Sequence, residues 1–411
     1  MIPTADPGTA RHRYRFVVLA AFMAVNLTIQ ILWASYASIT GVAARFHGVS
    51  DLQIGLLGMV FMAAFVPLSF PASWAIDRFG FRAMVGLGSV LMSAFGLLRG
   101  LAGRSYPLVL AASIGIAAAQ PLLLNAWTTV PARWFPREER ATAVGLVTFA
   151  NLVGTGIGFA LTPALIEIWP IPTVQLAYGA VATASAVLFL ALAREAPAGS
   201  AGPEARALVV EGLRHALSVP SFRVYLAVSF VGMGVFNGLA TWIEPIIRPR
   251  GFTPAEAGAL GAVLLSGGIA GAVVFPPISD RLQRRRIFIL GGLALSVPGV
   301  LGLAYATTLA GLVASVFALG LFLVATSPIG MQYSTEITRP TPEGTSNGLI
   351  QLVGQISVVF VYAMGALRDG DGSFTRSLLL SAGLLAASAL VAARLVEPAR
   401  ANGLGEEEPP G

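Results

Sequence analysis

Neither cysteine nor lysine occurs anywhere in the 411 residues, and histidine occurs only three times. Without cysteine there is neither a disulfide framework nor a thiolate metal site. No His/Glu metal spacing, Walker loop or nucleophile elbow appears either, so no metal and no cofactor is expected and the chain does not read as an enzyme. Charge is scarce: 11% of residues are charged against 55% hydrophobic, and the mean hydropathy is +0.77. A soluble domain carries about 25% charged residues, so this chain belongs in a lipid bilayer. The pI near 10.1 does not point to nucleic acid, because the 26 basic residues, all arginine, are scattered between apolar runs.

A membrane helix takes about 20 mostly apolar residues. Breaks at charges, prolines and polar clusters predict twelve of them. The first six run over 15–41, 52–76, 83–102, 106–132, 140–166 and 172–193, the second six over 221–247, 255–279, 286–306, 309–333, 344–367 and 374–395. The first follows Arg11, Arg13 and Arg15 without a small-residue cleavage site and reads as a retained helix. The expected fold is all-α and integral to the membrane, with two six-helix, pseudo-symmetric halves. Residues 1–194 form the N-terminal half, 195–219 a cytoplasmic linker holding Pro197, Gly199 and Pro203, 220–396 the C-terminal half, and 397–411 a disordered tail. With the N-terminus in the cytoplasm, 19 of the 26 arginines fall inside. The other seven, Arg45, Arg99, Arg104, Arg248, Arg250, Arg368 and Arg376, fall outside. Cytoplasmic loops are enriched in positive charge, so both termini are expected in the cytoplasm and the chain in the plasma membrane.

The halves read as copies of one design. Asp77-Arg78-Phe79-Gly80-Phe81-Arg82 and Asp280-Arg281-Leu282-Gln283-Arg284-Arg285-Arg286 each join two apolar spans, and their aspartates are 203 residues apart (280 − 77). At the same offset Thr142-Ala143-Val144-Gly145-Leu146 falls on Thr345-Ser346-Asn347-Gly348-Leu349. Parallel duplication is a common plan for transporters. A carboxylate at the edge of a short loop can sit against a helix N-terminus or pair with an arginine, and Gly80 suits the tight turn. By symmetry Asp77 is expected to face the start of the eleventh helix at Thr345-Ser346, and Asp280 the start of the fifth near Arg140. The expected gate is therefore Asp77, Arg78, Gly80, Arg82, Asp280, Arg281 and Arg140.

Apart from helix ends, where Arg99, Glu167 and Glu244 stand, the predicted spans hold no ionisable acid, base or histidine. Proton-driven carriers bury a titratable group, so this favours facilitated diffusion. The polar lining that remains is neutral: Gln30, Asn125, Thr128, Asn151, Asn237, Gln332, Gln351 and Gln355, with Trp33, Tyr36, Trp127, Trp242 and Tyr362 nearby. Each amide either bonds a neighbouring helix or faces a solute. Glu244, followed by Pro245, reads as an outer gate or a cation-attracting group, or as the coupling acid of an ion-driven exporter.

The twin Asp-Arg loops, helix count and repeat resemble the major facilitator superfamily. A narrower likeness lies in Gln30-Ile31-Leu32-Trp33-Ala34-Ser35-Tyr36, Phe46-His47-Gly48-Val49-Ser50, Phe70-Pro71-Ala72-Ser73-Trp74, Gln120-Pro121-Leu122-Leu123-Leu124-Asn125-Ala126 and Glu139-Arg140-Ala141-Thr142-Ala143. These resemble the feline leukaemia virus subgroup C receptor family, whose members are implicated in choline and ethanolamine transport, with haem export also proposed. The resemblance implies that Trp33, Gln120 and Gln355 are pocket residues. It also implies two departures: Ile29 where the family has an asparagine, and Asn237 where it has an aromatic that closes the ammonium cage. Trp33, Gln120, Gln355, Asn125, Asn237 and Tyr36 are thus the expected substrate contacts. The expected activity is alternating-access transport of a small amine-bearing or other polar solute, as a monomer and a uniport. An ion-coupled exporter of drugs or metabolites, and a membrane receptor that binds without transport, remain as alternatives.

Overall fold

The computed structural model of the protein describes residues 7–127, 129–195, 204–341, 343–368 and 372–397, and every regular element among them is a helix. Thr128 and nearly all of the expected tail lie outside the described residues. Among the described residues twelve stretches are long and apolar enough to cross a membrane. Spans 1 to 6 are Tyr14–His47, Asp51–Phe79, Phe81–Leu101, Tyr106–Pro131, Thr142–Ile168 and Ile171–Leu192. Spans 7 to 12 are Pro220–Arg250, Pro254–Leu282, Arg285–Tyr305, Leu309–Ile337, Thr345–Ala366 and Thr375–Ala392. A further helix, Glu204–Ser218, occupies part of the expected linker. Successive spans alternate in direction, so span 1 sets out from the face where span 12 ends. That face, which also carries the Asp77 and Asp280 loops, is the terminal face; the other is the distal face.

Spans 2 and 8 show how local sequence sets the frame. Ser50 accepts from Gln53 N (3.3 Å) while Gln53 Oε1 accepts from Ser50 N (2.9 Å). Thr253 and Glu256 make the same reciprocal cap at 3.2 and 2.7 Å, with Pro254 opening the helix. Each box satisfies donors that the first turn leaves unpaired. The boxes are 203 residues apart (253 − 50), so the repeat extends to the residues that start each helix.

Buried apolar residues form two clusters within the first half, the smaller around Ile39, Ile54 and Val109 at its distal end, and one within the second half whose buried members include Ala34, Met59, Met62 and Phe159 of the first. Outward-facing side chains such as Phe70, Ile168 and Leu390 are 67%, 73% and 76% exposed. In water such a surface would aggregate, whereas acyl chains solvate it.

Four spans are interrupted, span 4 after Leu124, where Tyr106–Leu124 gives way to a turn before Thr129–Trp134. In span 1 the helix Pro7–Ala34 gives way at Ser35 and Tyr36 to a 3-10 turn, Ala37–Ile39. In span 11 it breaks at Ser357, between Glu343–Ile356 and Val358–Ala366. Both breaks fall on a serine whose hydroxyl donates three residues back: Ser35 Oγ to Leu32 O (3.1 Å) and Ser357 Oγ to Gly354 O (2.6 Å). Such bonds compete with the helical ladder. In span 10, Pro328 has no N–H for the carbonyl of Val324, and a π-helical segment, Gly320–Val324, ends there.

Candidate functional site

The two serine breaks flank the centre of the molecule. One follows Trp33 and the other follows Gln355. Between the halves at this depth lies a cavity of ≈ 330 Å³, within the range of small-molecule sites. Its first-half wall includes Gln30 and Trp33 of span 1, Gln120 of span 4, and Asn151 of span 5. Its second-half wall includes Phe236 and Asn237 of span 7 and Gln351 and Gln355 of span 11. Trp127 and Tyr225 add aromatic surface, and among the described residues no acidic or basic side chain lines it.

The amides are only partly engaged. Gln30 Nε2 donates to Asn151 Oδ1 (3.3 Å), and Asn237 Nδ2 donates to Ser357 Oγ (3.3 Å), tying span 7 to the break in span 11. Gln120 Oε1 and Asn151 Nδ2 are buried without a protein partner. An unengaged acceptor and donor on one wall suit a solute that both donates and accepts, such as an alcohol or a primary amine. Trp33 adds an aromatic face, the best side-chain surface for a cation.

Of the six expected contacts, Trp33, Gln120, Gln355 and Asn237 line this cavity. Tyr36 lies beyond it, 3% exposed, and lines a void of ≈ 10 Å³ on the distal side of Trp33. Asn125 turns to span 2, where its Nδ2 donates to Ser69 O (2.8 Å) and Ser73 Oγ (2.9 Å). Ile29 is fully buried in the first-half core. Its neighbour Gln30 supplies the amide that reaches the cavity.

On the distal side the halves are bolted together. Asp51, at the start of span 2, pairs with Arg248 of span 7, and Arg368 Nη1 also donates to it at 2.5 Å. Glu244, 2% exposed, accepts from Gly41 N at 2.9 Å across the halves and from Arg248 Nη1 at 3.4 Å within its own. Beneath this seal the indole of Trp242 occupies a notch formed by Gly55 and Gly365, where a Cβ would lie 2.2 and 2.5 Å from the ring. Spans 5 and 8 close the same end, with Gly258 so near Phe159 O that a Cβ would stand 2.4 Å away. Small residues admit this approach of backbones.

Sequence reasoning missed Asp51, Arg248 and Arg368. The arginines read only as exceptions to the charge bias, and an acid after Ser50 reads as an ordinary helix start. Their pairing depends on bringing together residues 197 and 317 positions apart.

The terminal face differs. Among the described residues there, Arg15 pairs with Glu139 (2.8 Å), Arg133 with Glu195 just past span 6 (2.5 Å), and Arg285 with both Glu336 (2.9 Å) and Asp280, and none of these ion pairs joins the first six spans to the second six. Asp77, Arg78 and Arg82 are exposed, and their side chains make no ion pair among the described residues. Arg281 is exposed, and Arg140 Nε donates to Phe135 O at 3.1 Å. Ser346, near the start of span 11, shares a hydrogen bond with Thr338 Oγ (2.7 Å). In this conformation the expected cross-half partners are therefore engaged locally.

Comparison with known proteins agrees with this architecture. A sequence model of the Major Facilitator Superfamily matches residues 16–360 and 245–410. The chain is 26% identical to the choline/ethanolamine transporter FLVCR2 of Homo sapiens over 417 residues, covering 92% of this chain and 77% of the relative. It is 29% identical to choline/ethanolamine transporter FLVCR1 of Felis catus, covering 88% and 69%. Solute carrier family 49 member A3 of Danio rerio is 28% identical, covering 92% and 86%. Among solved structures, a bacterial homologue of the human lysosomal transporter Spinster, inward-facing and unoccupied, superposes with a TM-score of 0.74 at 17% identity, covering 95% of this chain and 97% of that one. With twelve spans in two halves around a central cavity, and a family match over most of its length, the chain belongs to the major facilitator superfamily.

Proposed function

We propose that the protein carries a small amine-bearing or comparably polar solute, choline or ethanolamine being the leading candidates, by alternating access and without a coupling ion. The observation that carries this reading is the uncharged cavity between the halves, where Trp33, Gln120 and Gln355 arrive from three separate spans. A cation there is held by aromatic faces and amide oxygens, which attract it without the fixed negative charge that would bind it too firmly to release. The likeness to choline/ethanolamine transporters supports the amine. Asn237 in place of a further aromatic favours a solute with a hydrogen-bonding group at that wall.

With both termini and the Asp77 and Asp280 loops in the cytoplasm of a plasma-membrane protein, the conformation described is inward-facing. Asp51, Glu244, Arg248 and Arg368 are then the outer gate. When they part, the halves rock about the cavity and the inner face closes, with Asp77 reaching the start of span 11 and Asp280 the start of span 5. The protein acts as a monomer, and its two halves and linker follow the boundaries at 194 and 220.

Flux of radiolabelled choline and ethanolamine into liposomes holding the purified protein tests the reading. Trp33→Ala is expected to weaken apparent affinity roughly 30-fold, as loss of a dry cation–π contact of about 2 kcal/mol requires. Unchanged flux in that variant rules out the Trp33 site. The engagement of Glu244 by Gly41 and Arg248 favours a gate over a proton carrier. Dependence on a pH gradient that vanishes in Glu244→Gln would replace uniport by ion coupling.

A further inference from the structure

Arg99 lies in the last turn of span 3 and is 2% exposed, yet no carboxylate pairs with it among the described residues. A guanidinium in such a place is costly unless its donors are used. Both terminal nitrogens are used, and on one short segment, while Nε stays without a hydrogen-bond partner. Nη1 donates to Leu32 O at 3.0 Å and Nη2 to Ser35 Oγ at 3.1 Å, and the guanidinium carbon stands 5.4 Å from the centre of the Tyr36 ring. Leu32 O is among the last carbonyls of the helix that ends at Ala34, where the ladder supplies no donor and the helix dipole favours positive charge. Gln175 Nε2 reaches Ser35 Oγ at 3.4 Å from span 6, so spans 3 and 6 both hold the break.

Trp33 sits inside this clamp. It lines both the central cavity and the small void on the distal side, and thus forms the partition between solute site and seal. Trp33 stands in the last turn of that helix, between the two residues that Arg99 holds, so loss of the cap would let this turn fray and release the indole from its bearing. We propose that Arg99 is the positioning residue for Trp33: it caps the interrupted first span and so fixes the indole at the solute site. The claim rests on the reading of Trp33 as a solute contact.

A charge acting only through its field would repel a cationic solute, so its removal would tighten binding. A positioning role gives the opposite sign. The test uses the full chain in liposomes, with choline and ethanolamine as probes. Arg99→Met is expected to raise KM about tenfold with kcat within about twofold, a share of the roughly 30-fold that the cation–π contact supplies. Arg99→Lys, which keeps the charge but lacks the fork, should recover only part of the loss.

A second readout needs no solute. In protein labelled with 5-fluorotryptophan, the fluorine resonance of Trp33, assigned with Trp33→Phe, should shift in Arg99→Met while those of Trp74 and Trp169 stay in place. An unmoved Trp33 resonance, or a KM that is unchanged or falls, overturns the proposal. If Arg99→Met does not fold, Arg99→Lys decides by the same two measurements. Should Trp33→Ala leave flux intact, the functional reading falls while the resonance shift still judges the clamp.

Discussion

Spans 2 and 8 start with matching caps 203 residues apart, and both end in a positive-φ residue at that same offset, Gly80 (φ 87°) and Gln283 (φ 51°). Beyond that point the two loops part company. In the first half Asp77 and Arg82 are exposed, and the loop is held from outside: Glu195 accepts from Arg82 N (3.0 Å) and pairs with Arg133. In the second, Glu397 accepts from the N–H of Arg286 (3.0 Å), which repeats the cap, but Arg285 is 5% exposed and grips Asp280 and Glu336. One half therefore leaves its loop acid available to the other half, and the other has committed its acid to internal structure. Duplication preserves backbone geometry more readily than it preserves the pairing of charges, because a single arginine placed inward changes every partner around it.

The arginine pair gives the largest expected contrast. Arg285 and Arg82 are equivalent by the 203-residue offset, yet only Arg285 is buried between carboxylates. Arg285→Met strands Glu336, whose side chain is 19% exposed, and is expected to cost about 3 kcal/mol, at the low end for a broken buried pair. Asp280, 58% exposed, adds little to that figure. Arg82→Met should be close to neutral. Thermal unfolding of both variants in one detergent checks this, and equal losses would mean that the loops are equivalent after all.

Gly80 comes next. Its φ of 87° and ψ of 156° lie in a region open essentially to glycine, and an added Cβ would stand 2.7 Å from Glu195 Oε2. The carboxylate can swing aside, so the backbone supplies most of the penalty. Gly80→Ala is expected to destabilise by about 1–3 kcal/mol. If it unfolds at the wild-type temperature, the loop is not held as described.

These contrasts also mark what the sequence discloses. Twelve spans and their repeat were legible, because apolar length and a fixed offset are one-dimensional signals. The lining of the cavity was legible in part. Tyr36 lies three residues after Trp33 and would share its face on an unbroken helix, but the serine break at Ser35 intervenes. Asn125 is five residues past Gln120, about 140° further round the helix, and so meets span 2. The distal seal and the Arg99 clamp were not legible, since each pairs groups whose meeting depends on the assembled bundle. Asp51 looked like a helix start and Arg99 like a helix end, and both descriptions are true of their local sequence.

The aspartates sharpen the comparison at the level of transport. Asp77 has no ion pair among the described residues whereas Asp280 is held by Arg285, so of the two loop acids Asp77 is the one left to serve the proposed latch on the terminal face. Asp77→Asn is expected to slow choline or ethanolamine flux roughly tenfold, equivalent to about 1.4 kcal/mol of latch energy. Asp280→Asn should slow it about twofold or less, as befits an exposed pair. Equal defects would count against a one-sided latch.

The smallest effect is expected at Gln283, and its sign is informative. With φ 51° and ψ 41° the residue occupies the left-handed helical region, where a side chain other than glycine costs about 1–2 kcal/mol. Part of that cost is offset by Gln283 Nε2, which donates to Asp280 O at 2.7 Å. The offset is limited to roughly 0.5–1.5 kcal/mol, the usual net worth of a hydrogen bond. Gln283→Gly removes both terms and frees the unfolded chain by a few tenths of a kcal/mol, so the expected outcome is a gain of less than about 1 kcal/mol. A clear loss of stability instead would mean that the side-chain bond, rather than the turn conformation, holds the second loop. The two halves would then differ in what makes the turn as well as in what surrounds it.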